Sequence, residues 1–252
     1  MQRSYRSAVY KVILPSNIGG STTRTVGLFH ASAVAVAGMI THGLAAGESN
    51  QKYGVERVRW ASFGEAMRAL APIPTERWRE QFQALIPLGD WCVMMSNHAR
   101  GTDVGGTPGR AAKELGCTAV RAVCIEPGED LYPARMLLVY GPDGRPPLFE
   151  VRSIIAMNDG GRWKFSTDGE PYEFEQTERY GLRLARDRLT GDMLHNYLRV
   201  LGVPVDAEPV WSETVLARKL GRTADQHQEW MRRKYPNKIT YFGPMREMAD
   251  DS

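Results

Sequence analysis

Between Arg162 and Asp168 the order Arg-Trp-Lys-Phe-Ser-Thr-Asp puts Trp163, Phe165 and Thr167 on one side of an extended chain and Arg162, Lys164 and Ser166 on the other. That alternation defines a half-buried strand. Leu148 to Ala156, rich in β-branched and apolar residues, precedes it, and Asn158-Asp159-Gly160-Gly161 lies between them, residues that accept the positive φ of a tight hairpin turn. A chain that holds this hairpin has to build an antiparallel sheet around it. A third run, Arg135 to Tyr140, leads into Pro142-Asp143-Gly144, where proline presets one turn dihedral and glycine supplies the next. Three strands are therefore expected as a meander. Tyr172 and Phe174 alternate with Glu173 and Glu175 as a further extended piece. Thr177 is placed to cap a helix to about Arg188, and Thr190 a second helix whose Met193, Leu194, Tyr197, Leu198 and Leu201 share one face. Gly202 and Pro204 end it.

Upstream, Tyr10 to Leu14 reads as a strand closed by Pro15. The Arg3, Arg6 and Lys11 positions are followed only by Val12 to Leu14 before that proline, too short an apolar run for a signal peptide core. From Thr25 to Gly47 no residue is charged. The stretch is rich in Ala, Gly, Ser and Thr and contains His30 and His42, so a buried element is expected rather than a membrane span. Helix and strand both fit its periodicity. Val55 to Trp60 alternates as a short strand, and Ser62-Phe-Gly-Glu65 forms a capping box for a helix that Pro72 and Pro74 stop near Leu70. Thr75 is positioned to cap a next helix, with Trp78, Phe82, Leu85 and Ile86 at helical spacing up to Pro87. Trp91 to Met95 and Thr118 to Ile125 read as strands. Between them lie a glycine-rich loop, Ser96 to Arg110, and a helix with Thr107 as cap, Pro108 as first residue and Gly116 as stop.

The 252-residue length sustains a sizeable core, and 42% apolar with 24% charged residues is ordinary for a globular chain. Cys92, Cys117 and Cys124 form neither a disulfide framework nor a CxxC zinc pair, which fits a reducing cytoplasm. The expected fold is α+β: a mainly antiparallel sheet of about five strands centred on Ala134 to Asp168, with helices packed largely on one face. Residues 1–202 would form this core domain. Residues 203–252 would form a linker, Val203 to Pro209, and a basic helical C-terminal region with one helix from Ser212 to Leu220 and a second from Thr223 to Tyr235.

Three stretches carry possible function. On the loop from Ser96 to Arg110, glycine-rich backbone before a helix N-terminus suits an anion, with Arg100 and Arg110 as donors, although the spacing matches no phosphate-loop motif. His98 and Asp103 are the catalytic candidates there, for a small hydrolase or transferase. From Ser212 to Lys238 the net charge of the chain, +3, is exceeded locally, by seven basic residues against three acidic ones. The run from Leu216 to Trp230 resembles the helix-turn-helix pattern of DNA-binding proteins, with Ala217 at the close approach and Gly221 in the turn, but Arg222 and His227 replace expected apolar residues. That resemblance implies nucleic-acid contacts from Arg218, Lys219, Arg222, Gln226, Gln228, Arg232, Arg233 and Lys234. Complementation of a helix dipole explains the same charges without a ligand. The acids Glu170, Glu173, Glu175 and Glu178 could gather a metal, yet Glu173 and Glu175 fall on the face opposite Tyr172 and Phe174, as a solvated strand edge would. Trp163 and Phe165 could stack bases, but are expected under the following helices. No catalytic constellation assembles from these patterns. They point to a non-catalytic binding protein for a macromolecular partner, protein ahead of nucleic acid, with no metal or cofactor and no membrane association.

Overall fold

The structure, a computed structural model, describes residues 22–46, 52–74, 77, 80–127 and 132–220. In chain order these form β1 (Thr25–Phe29), α1 (Ala33–Ala46), β2 (Lys52–Val58), α2 (Phe63–Ala69), β3 (Phe82–Leu88), β4 (Trp91–Ser96), α3 (Thr107–Leu115) and β5 (Ala119–Ile125). There follow β6 (Ala134–Arg145), β7 (Glu150–Asn158), β8 (Trp163–Asp168), α4 (Gly191–Val200) and β9 (Thr214–Leu220). All nine strands join one sheet in the order β2-β9-β3-β4-β1-β5-β6-β7-β8, and each neighbouring pair is antiparallel.

The expectation of about five strands covered mainly on one face is thus corrected to nine strands covered on both. The cause is visible in the alternation of β1. Val26 and Leu28 enter one core layer with Ala66 of α2, Leu70 at its C-cap, and Met193, Leu194, Tyr197 and Leu198 of α4. Phe29 enters the opposite layer with Val36, Ala37 and Ile40 of α1 and Ala111 and Ala112 of α3. A strand apolar on both sides requires a helical layer on each. The charge-free run of the sequence is both a strand and a helix, β1 and α1. No described helix is long and apolar enough to cross a membrane.

The hairpin of β7 and β8 stands where its turn residues put it, with Asn158 opposite Trp163 and Ile154 opposite Thr167. It forms one edge of the sheet, whereas β4 and β1 lie at the middle. Pro142-Asp143-Gly144 lies within β6, in a register irregularity between Tyr140 and Arg145, and the chain turns at residues 146–149 instead. The cap at Ser62 forms, its Oγ accepting from the Glu65 N–H at 3.3 Å, while Glu65 Oε2 accepts from the Ala61 N–H at 2.7 Å. The cap at Thr190 also forms, accepting from the Met193 N–H at 3.2 Å. Gly116 ends α3 in the left-handed region, as expected of a glycine stop, while the position before Thr107 supplies the N-cap.

Four expected helices or strands are different elements. Phe82, Leu85 and Ile86 belong to β3, because Phe82, Ala84, Ile86 and Leu88 bury one strand face while Leu85 buries the other. The expected cap Thr75 and its neighbour Trp78 lie outside the described residues. Residues 177–188 make only two short 3₁₀ turns, Thr177–Gly181 and Ala185–Asp187, and Tyr172 to Glu175 turn rather than extend. The expected helix from Ser212 to Leu220 is β9, inserted between β2 and β3 with Val215 opposite both Arg57 and Leu85. Its Val215-Leu216-Ala217 core is buried on both faces, which selects a strand over a helix. The supposed linker carries buried Val203 and Val205. The expected boundary at residue 203 therefore falls within the chain that completes the sheet. Tyr10 to Leu14 and the rest of the C-terminal region lie outside the described residues.

The turn after β8 is held by an ion pair within the core layer. Arg152, on the same side of β7 as Ile154, donates from Nε and Nη2 to Glu175 Oε1 and Oε2 at 2.9 and 2.6 Å. Its Nη1 donates to the carbonyls of Asp168 and Gly169 at 3.1 and 2.6 Å. Glu175 also accepts from the Tyr172 N–H at 3.0 Å and the Tyr180 hydroxyl at 2.9 Å. The acid expected on a solvated edge is fully buried. Burial pushes its carboxyl up, and the donors from Arg152, Tyr172 and Tyr180 together outweigh that and hold it below the usual carboxylate range.

Because this folded-state pKa is depressed, its contribution to stability is complete above the unfolded carboxylate range and is lost as pH falls through the folded value. Replacing Glu175 by Gln leaves Arg152 buried without its counter-charge. We expect a loss of roughly 3–5 kcal/mol in urea unfolding at neutral pH. The acid-side slope of stability against pH should also be shallower in the variant than in the wild type, and Arg152→Met with Glu175→Leu should recover much of the loss.

Candidate binding cleft

Arg57 and Arg59 are two residues apart on β2 and its extension, so their side chains leave the sheet on one face. It is the face of α1, since Arg57 pairs with Val215 of the α1 core layer. α1 begins one short turn after β1, and Ser32 caps it by accepting from the Ala35 N–H at 3.2 Å. The N–H groups of Ala33 and Val34 in the first turn have no intrahelical acceptor, and no acid stands in that turn. The β3–β4 hairpin reverses at Gly89, whose φ of 58° places it in the left-handed region. Just before β9, a 3₁₀ turn at Trp211–Glu213 brings up Ser212 and Glu213.

These segments meet at one end of the sheet around a cleft of about 560 Å³, with Ser32, Val34, Arg57, Arg59, Trp91 and Glu213 on its walls. Neither guanidinium is in an ion pair with any acid among the described residues, although Glu213 shares the cleft. Two fixed positive charges, the partial positive end of a helix and, among the described residues, a single carboxylate are chemistry that suits an anionic group. Val34, half-exposed, supplies apolar wall beside it.

Of the residues singled out in the sequence, none that the structure describes lines this cleft. His98 Nδ1 accepts from the Arg100 N–H at 3.4 Å, and Asp103 Oδ1 accepts from the Gly105 N–H at 2.9 Å. No hydrogen bond joins His98 to Asp103 among the described residues. The rest of that loop is tied down: Thr102 Oγ1 donates to the Thr22 carbonyl at 2.6 Å, and Asn97 Oδ1 accepts from the Phe82 N–H at 2.8 Å. Arg110 is paired with Glu114 at 2.8 Å and also donates to the Met39 carbonyl, linking α3 to α1. Arg100 is exposed. Arg218 and Lys219 lie in β9, their backbones opposite Gly54 and Tyr53. Arg222, Gln226, Gln228, Arg232, Arg233 and Lys234 lie outside the described residues. Of the four acids, Glu175 is the buried partner of Arg152 and Glu170, Glu173 and Glu178 are exposed. Among the described residues no three His, Cys, Asp or Glu side chains converge as metal ligands. Trp163 and Phe165 are half-buried under the 3₁₀ turns, Phe165 against Tyr180 and beneath Arg188.

Arg57 and Arg59 carried a partial signal in the alternation of Val55 to Trp60. The other wall, α1 and the turn before β9, is distant in sequence and could not be read from spacing. No protein-family model, curated protein or solved structure matches this chain.

All three cysteines are buried and free. Burial pushes each thiol up, Cys124 to about 12 with the nearby Glu126 carboxylate adding to the effect. Since the thiolate is the reactive species, the folded protein should take up essentially no thiol reagent at mildly alkaline pH, and denaturant should expose all three. Rapid labelling of any one in the folded protein, read by intact mass, would contradict this placement.

Proposed function

We propose that this protein is a non-catalytic binding protein for a macromolecular partner, and that the cleft beside α1 holds an anionic group of that partner. The observation that carries the reading is the pair Arg57 and Arg59, displayed on the wall of a concave site without an ion-pair partner among the described residues. Arginine is among the side chains that most often anchor partners at interfaces. Supporting it, several polar groups that could do chemistry are engaged in holding the fold. The thiols are buried, Thr102, Asn97 and Asp103 hold the loop after β4, and Glu175 neutralises Arg152. The nucleic-acid reading has lost its first helix to β9, and no described contact favours it.

The test is purification of the chain from its native source, in wild-type form and as Arg57→Glu with Arg59→Glu. A macromolecule should co-elute stoichiometrically with the wild type on size exclusion. Its recovery should fall by about tenfold or more with the variant, whose urea midpoint should match the wild type because both side chains are exposed. A turnover abolished by His98→Ala or Asp103→Ala in a folded protein would overturn the non-catalytic reading.

A further inference from the structure

β2 is the last strand on its side of the sheet, so one of its edges is unpaired among the described residues. Every second residue of such a strand directs its N–H and C=O outward, a template on which another extended chain can form a ladder. At the opposite edge, the charge at β8 is already neutralised locally, Lys164 by Asp159. At β2 the two arginines of the cleft stand on the strand itself and its extension, and the half-exposed Val55 lies two residues before them on the same face. A side chain on an incoming strand directly opposite Arg57 would share its face at a cross-strand separation of about 5 Å, the distance at which opposite charges pair. An alternating chain would set its next residue on that face against Val55 or Arg59.

Resting on the binding role proposed above, we infer that the partner is a protein that presents an extended acidic segment. The segment adds as an extra strand to the edge of β2 that is unpaired among the described residues, and places carboxylates beside Arg57 and Arg59. Main-chain hydrogen bonds supply affinity and the arginines fix register and choose acidic over basic sequences. Two guanidinium groups beside Glu213 match the single charges of separate carboxylates on a strand better than the dense charge of a nucleic-acid backbone.

The experiment titrates the full chain, by calorimetry, with a short synthetic peptide of alternating valine and glutamate. Three controls accompany it: the same peptide with lysine for glutamate, the peptide N-methylated at alternate residues, and inorganic phosphate. Binding is expected of the glutamate peptide and not of the lysine peptide or phosphate. It should weaken by about tenfold or more in Arg57→Glu with Arg59→Glu, the size of one lost charge-assisted bond. One of the two N-methylation frames should abolish it, because only one set of peptide amides faces β2. Equal binding of both N-methylated frames, or displacement by phosphate at matching concentration, would reduce the cleft to a simple anion site and overturn strand addition. So would failure of the glutamate peptide to bind. A native partner that stays bound to the double variant also sinks this inference while leaving the binding role intact, whereas a native protein that carries no partner sinks the role itself.

Discussion

A sheet that is apolar on both faces has to be covered twice, and the rest of this architecture answers that requirement. β1 shows it within five residues, Val26 and Leu28 facing α2 and α4 while Phe29 faces α1 and α3, all without solvent exposure. Gly27 lies between them on the α1 side, where an added Cβ would sit 3.0–3.1 Å from the Phe29 ring and Val104. Its lack of a side chain lets the second layer settle directly onto the strand. Removing either layer would expose a contiguous apolar surface of a size that folded chains rarely leave open.

Arg152 and Glu175 solve a different problem at the far edge. After β8 the chain must fold back over β6 to β8 in irregular turns, which offer few backbone bonds of their own. A guanidinium that reaches one carboxylate and two carbonyls fixes those turns from inside. Gly169, at φ 82°, is where the chain leaves β8, and any Cβ there would collide with the Val151 carbonyl at 2.1 Å. Buried pairs of this kind contribute little net stability compared with apolar replacements, but they penalise any arrangement that leaves one charge alone. The position of Tyr172, Phe174 and Tyr180 over the sheet follows from that penalty.

The cleft is a by-product of strand order. β9 returns between β2 and β3 and carries the turn with Glu213 to the start of α1, while β2 is displaced to the rim with its arginines. Had the order followed the sequence, β2 would be flanked on both sides and its edge closed. Positive charge placed at the rim stays hydrated, so it costs the fold little.

Local chemistry settled part of this in advance. The hairpin at Asn158 to Gly161, the caps at Ser62 and Thr190, the stop at Gly116 and the strands at Trp91 and Thr118 were legible because turn dihedrals and caps involve residues a few positions apart. Where a segment was apolar on two sides, as in Phe82 to Leu88 and Val215 to Ala217, neighbours in sequence could not choose between helix and strand. Only the partners on either side did so. The same holds for function. The alternation of Val55 to Trp60 put Arg57 and Arg59 on one face, but an arginine pair becomes a site only when a helix start and a distant turn close around it. Glu175 was read as solvated because its neighbours alternate, and became buried because Arg152, 23 residues earlier, needed a counter-charge. The amino-acid order fixed turns, caps and strand faces through short-range sterics and hydrogen bonding. Strand order, the second helical layer and the cleft were decided by long-range burial, which no local pattern encodes.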